Sequence, residues 1–101
     1  MSALKGFQKK YLRGLAHHLK PLVIIGKAGL GESVLSSLDK ALDDHELIKV
    51  RFNDFKDRKK EISQEIVEKT GSEVVGSIGH VVMFYRQQPK EDKRKIRLPE
   101  K

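Results

Sequence analysis

The sequence contains no cysteine. Disulfides and cysteine-ligated zinc or iron–sulfur sites are therefore excluded, and the chain suits a reducing compartment. Tryptophan is also absent, and the aromatics are few: Phe7, Tyr11, Phe52, Phe55, Phe84 and Tyr85. Most of them fall on stripes that read as core, leaving Phe55 and Tyr85 as candidates to stack on a ligand. Any nucleic-acid partner would therefore be gripped through phosphate more than by stacking. The apolar runs, Leu22 to Ile25 among them, are far shorter than the roughly 20 residues that span a bilayer. Ser2 to Lys10 has no continuous apolar core and carries cations throughout, unlike a secretory signal. The expected location is cytoplasmic, with no membrane partner. Acids are missing from residues 1–20, which hold Lys5, Lys9, Lys10, Arg13 and Lys20.

What is present fits one domain of 101 residues. The net charge of +7 points toward phosphate-rich partners, although a high isoelectric point alone is common. The charge is also uneven. Residues 32–49 carry five acids and two bases, and residues 61–73 carry four acids and one base. The positive excess lies in the first helix, residues 26–31, residues 50–60 and the C-terminal segment. A basic face and a more acidic back are expected.

Apolar residues at Leu4, Phe7, Tyr11, Leu15 and Leu19 recur at helical spacing, with the cations mostly opposite. Pro21 ends that helix. Leu22 to Ile25 reads as a strand buried on both faces. Val34, Leu35, Leu38, Ala41 and Leu42 give a second helical stripe. Leu47 to Phe52 alternates as a strand. A third helix runs from about Asp57 to Thr70, with Gly71 as its C-terminal cap. Val74 to Ile78 and Val81 to Tyr85 form a hairpin about Gly79-His80. The expectation is an α/β fold, a small two-layer sandwich in the order α-β-α-β-α-β-β with a mixed four-stranded sheet. Residues 1–86 form the domain. Residues 87–101 form a basic, partly mobile tail whose Ile96 and Leu98 could dock as an edge strand.

The segment VIIGKAGLGES, residues 23–33, places three glycines within six residues directly after the first strand. Gly26 and Gly29 would let backbone approach an anion with no Cβ in the way. Lys27 adds a cation at the tip, Ala28 keeps the tip small, and the following helix offers unpaired amides at its positive end. A mononucleotide loop is disfavoured, because neither G-x-x-x-x-G-K-S/T nor G-x-G-x-x-G is present. A plain strand-to-helix turn is the bland alternative. The all-basic helix beforehand favours a G-x-x-G clamp on nucleotide backbone.

At these residues the chain resembles a known family. LRGLAHHLKPLVIIGKAGLGESV, HELIKVRF and TGSEVVGSIGHVVMFYR are similar to successive blocks of the CRM domain, for chloroplast RNA splicing and ribosome maturation, in its bacterial single-domain YhbY-like form. The resemblance runs over about residues 4–98. It implies a fold similar to the C-terminal domain of translation initiation factor 3, and association with rRNA of large ribosomal subunit precursors. The family's G-x-x-G loop falls on Gly26, Lys27, Ala28 and Gly29, and its RNA-facing basic residues on Lys9, Lys10, Arg13 and Lys20. Two positions depart from the pattern. Gly31 stands where Thr or Ser usually caps the second helix, and Phe84 where Leu is frequent.

Other groups carry less. His17 and His18 point different ways on a helix, His18 toward the core edge. DDHE at residues 43–46 reads as a solvated helix end, although its acids oppose the macrodipole. No metal spacing or nucleophile elbow exists. The expected protein is a monomeric, non-enzymatic RNA binder with no cofactor, no metal and no DNA specificity, assisting ribosome assembly. The alternatives are an interaction module whose basic helix binds an acidic partner, and a small phosphate-handling enzyme.

Overall fold

The structure, a computed structural model, describes residues 4–100. The first three residues of the expected domain and the last of the expected tail lie outside that span.

Strict alternation along Leu47–Phe52, the strand β2 when elements are numbered in chain order, sends Ile48, Val50 and Phe52 to one face and Leu47, Lys49 and Arg51 to the other. Around it run helix α1 (Gly6–Ala16), strand β1 (Val23–Ile25), helix α2 (Glu32–His45), helix α3 (Lys59–Thr70) and strands β3 (Glu73–Ile78) and β4 (Val81–Tyr85). Short 3-10 turns occupy Lys56–Arg58 and Glu91–Lys93. The sheet order is β1-β2-β4-β3, with β1 parallel to β2 and the other pairs antiparallel. The α/β class, the element order and the mixed sheet are those read from the sequence.

The two faces carry separate cores. α2 and α3 cover one, burying Leu38, Leu42, Ile62 and Ile66 against Val23, Ile25, Ile48, Val50, Phe52, Val82 and Phe84. That side is the expected two-layer sandwich. α1 lies on the opposite face, where Leu12 and Ala16 meet Leu47, Val75, Met83 and Tyr85. It adds a partial third layer.

α1 does not bury the stripe its spacing suggests. Phe7, Tyr11, Leu15 and Leu19 remain 37–42% exposed. At 3.6 residues per turn, Leu12 sits roughly 100° round from Tyr11. The helix thus rests on the boundary between its apolar and cationic flanks. Arg13 explains the tilt: its guanidinium donates to Val75 O at 2.9 Å while its stem lies over Gly76. A Cβ on Gly76 would stand 2.5 Å from Arg13 Cδ. Aromatic placement changes accordingly. Phe7 and Tyr11 are exposed rather than core, and Tyr85, a stacking candidate by sequence, is buried.

β1 also departs from expectation. It is an edge strand, and Ile24 between its two buried neighbours is 53% exposed. Buried on one face only, it leaves Ile24 on the α1 face of the sheet, in the part that α1 does not cover.

Residues 87–98 form no edge strand. Ile96 and Leu98 pack on the rim of the α1 core. The segment is held by Glu46, only 1% exposed. Its carboxylate accepts from Gln88 N at 2.8 Å, Lys95 N at 2.7 Å and Ile96 N at 2.8 Å. Glu46 ends α2 with φ +64, a conformation that costs a non-glycine residue energy and turns its side chain inward. The DDHE segment therefore splits. Asp43 and Asp44 stay exposed, while Glu46 is structural.

Candidate nucleic-acid interface

The G-x-x-G loop begins where β1 stops. Ile25 O accepts from both Asn53 N and Asp54 N, so the exit of β2 folds back beneath the loop. Asp54 Oδ1 takes the Phe55 N–H at 2.9 Å and Phe55 adopts φ +54. The Phe55 ring then lies 3.4 Å from where a Cβ on Gly29 would be. Gly29 N donates to Gly26 O at 3.0 Å, closing a tight turn, and Gly29 has φ +70. Lys27 and Ala28 are left at an exposed tip.

The three glycines are not equivalent. Gly29 is demanded by its backbone angle and the ring below it. Gly26 and Gly31 have no positive φ, and a Cβ at either would meet nothing within 4 Å. The fold itself does not require glycine at those two positions. Gly31 caps α2 without a side-chain hydrogen bond, so the first-turn amides take no cap from its side chain, while Glu32 places one carboxylate in that turn.

The expected basic residues do not all gather at this loop. α1 carries Lys9, Lys10 and Arg13 with no acid. Lys10 is exposed, Lys9 half-buried, and Arg13 reaches β3. Lys20 lies beside Leu22, His45 and Leu47, at the start of β1, whereas the loop lies at its end. Their separation follows the length of the strand, about 10 Å at 3.3 Å per residue.

Two cations on the same face were not singled out by sequence. Lys49 donates from Nζ to Leu19 O at 3.0 Å, holding the end of the α1 turn. Arg51 is exposed and its side chain makes no hydrogen bond or ion pair among the described residues. The signal was available: both alternate with Ile48, Val50 and Phe52, so they share the face opposite the α2/α3 core. Four acids sit on α2, on the other side of the sheet. The charge polarity seen along the chain thus becomes a difference between layers.

His17 and His18 stack edge to face, with ring centroids 5.5 Å apart, and both are exposed; His18 is not a core-edge histidine. Among the described residues no group of three or more His, Asp or Glu could hold a metal ion, and no helix is long and apolar enough to cross a membrane. Burial pushes the Tyr85 hydroxyl up to about 12, with the Glu46 carboxylate adding to the shift.

Comparison with known proteins gives a consistent picture. The CRS1 / YhbY (CRM) domain model matches residues 4–86. An RNA-binding protein of Haemophilus influenzae is 44% identical over 102 residues, covering all of both chains. Probable RNA-binding protein YqeI of Bacillus subtilis is 35% identical over 97 residues, covering 95% of this chain and 99% of that one. The solution structure of the hypothetical protein SAV1595 from Staphylococcus aureus superposes with a TM-score of 0.76 at 41% identity. It covers 95% of this chain and 99% of its own.

Proposed function

The chain belongs to the CRS1 / YhbY (CRM) domain family, and from that premise we propose that it is a non-enzymatic, cytoplasmic, monomeric RNA-binding protein acting on rRNA of large ribosomal subunit precursors, where it assists assembly. Its relatives in Haemophilus influenzae and Bacillus subtilis carry RNA binding in their names. The observation that carries the reading to this chain is the pair of glycines its own fold does not need. Gly26 and Gly31 keep bare backbone on either side of the loop, facing open space. Bare backbone at an uncapped helix start suits a ribose-phosphate strand, with Lys27 as the mobile counter-charge.

Arg13 spends one nitrogen on Val75 O. The rest of its fork remains for phosphate. Replacing Lys27 and Arg13 together by alanine should weaken binding to rRNA fragments. It should also flatten the slope of log affinity against log salt by about 1.4, two contacts on a single strand. An unchanged affinity and slope would exclude this surface. Crosslinking in cells with sequencing of the attached RNA should recover large-subunit precursor rRNA. Co-purifying protein that survives RNase, with no RNA recovered, would favour an acidic protein partner instead.

A further inference from the structure

α1 covers only half of its sheet face. It rests on Leu47, Val75, Met83 and Tyr85, at one end of the strands. The next row toward the G-x-x-G loop is uncovered, and register puts one residue from each strand in it. Ile24 pairs with Arg51, Arg51 with Val81, and Val81 with Ile78. Ile24 and Ile78 are 53% and 67% exposed, Val81 is half-buried, and Arg51 is exposed with no partner among the described residues.

Three features distinguish this row from an ordinary wet sheet face. It is apolar on both sides of one cation, where a solvated face would be polar throughout. It is bordered by cations: Arg13 lies over Gly76 on the α1 side, and Lys49 precedes Arg51 on the same face of β2. It runs into the loop, because Ile24 stands two residues before Gly26. The acid that this face of the strands carries is Glu73, paired with Tyr85 at the far end.

We infer that this open row seats a single-stranded ribonucleotide segment. Its bases lie against Ile24, Val81 and Ile78 and over the Arg51 guanidinium, and its backbone passes between Arg13 and the Gly26–Gly29 loop. The inference rests on the RNA-binding reading above and deepens it. Four strands at about 4.8 Å give a floor about 14 Å wide. A sheet of that width holds two or three splayed bases in other RNA readers, and a guanidinium plane can stack as an aromatic does. The charge complementarity selects nucleic acid over an apolar protein surface. The flat floor selects unpaired bases, since a duplex offers its edges and phosphates instead.

The test titrates the whole, isotope-labelled protein with a mixed-sequence single-stranded RNA of about a dozen nucleotides, and separately with the same sequence as a duplex. The single strand should shift the amides of Ile24, Arg51, Val81 and Ile78. Arg51→Gln and Ile78→Ser should each weaken single-strand binding about fivefold or more, the lower end of what a stacked base is worth, and Ile78→Ser should leave duplex binding unchanged. Ile78→Ser removes no charge, so its salt slope should equal that of the wild type. Lys27→Ala should weaken both RNAs. Still row amides together with row variants of wild-type affinity would overturn the seat while leaving the loop reading in place. Equal losses for strand and duplex would overturn the single-strand assignment. Row shifts that appear on concentrating the protein without RNA would hand this face to a second copy. A wild type that binds neither RNA would defeat the functional reading and this inference with it.

Discussion

Changing Glu46 to glutamine alters one atom and tests how the C-terminal segment is held. The carboxylate takes three backbone amides, two on Oε1 from Lys95 and Ile96 and one on Oε2 from Gln88. Glutamine keeps a single acceptor oxygen. Placed toward Lys95 and Ile96, it turns its NH2 against the Gln88 N–H, donor to donor. Hydrogen bonds to a charged group contribute about 1.5–3 kcal/mol each, and neutral ones roughly half as much. One lost bond and two weakened ones come to about 3 kcal/mol after partial rehydration. The loss should appear as local opening rather than global unfolding, because the apolar contact of residues 87–98 with the core is made by Ile96 and Leu98 at its rim. At about 1.4 kcal/mol per tenfold, opening becomes about a hundredfold more frequent. Native-state hydrogen exchange reads this directly. Gln88, Lys95 and Ile96 amides should exchange about a hundredfold faster, while Ile48 and Val50 in β2 change little. Glu46→Gly separates the backbone from the carboxylate. It releases about 1 kcal/mol of strain at φ +64 yet abolishes protection of all three amides. Wild-type exchange rates at those amides in Glu46→Gln would refute the account.

Two further substitutions test the α1 side of the sheet. Tyr85 keeps a buried hydroxyl with no partner among the described residues, so Tyr85→Phe should be neutral or stabilising by about 1 kcal/mol at pH 7. Folded Tyr85 holds its proton to about 12 whereas the unfolded residue loses it near 10. The wild type should therefore lose stability relative to Tyr85→Phe as pH rises from 10 to 12, by about 2 kcal/mol, with no such loss below 10; chemical denaturation across that range measures it. Gly76→Ala should cost about 1–2 kcal/mol by lifting Arg13 off Val75 O, and much less in an Arg13→Ala background. A double-mutant cycle showing no coupling would mean that the two residues do not share the space.

The alternation of Ile48, Val50 and Phe52, the glycine cap at Gly71 and the turn at Gly79-His80 were all legible because each is a local rule. The G-x-x-G loop was legible for the same reason. The apolar spacing of α1 misled because periodicity reports which residues share a stripe, not which stripe faces the sheet. Leu12 and Ala16 won because Arg13 needed the gap at Gly76, a partner 62–63 positions away that no window sees. Glu46 left only an indirect trace, acids at a helix end that the macrodipole disfavours.

By itself the sequence determined the class of the fold, the order of its elements, the basic character of the first helix and the glycine loop with Lys27 at its tip. These follow from spacing and composition within a dozen residues. Only the tertiary structure decided that Lys20 stands apart from the loop, that Glu46 holds the last segment, and that Arg51 lies between Ile24 and Val81 on an uncovered floor. Each depends on which strands become neighbours and how much of a face one short helix can cover, and neither quantity is encoded at any single position.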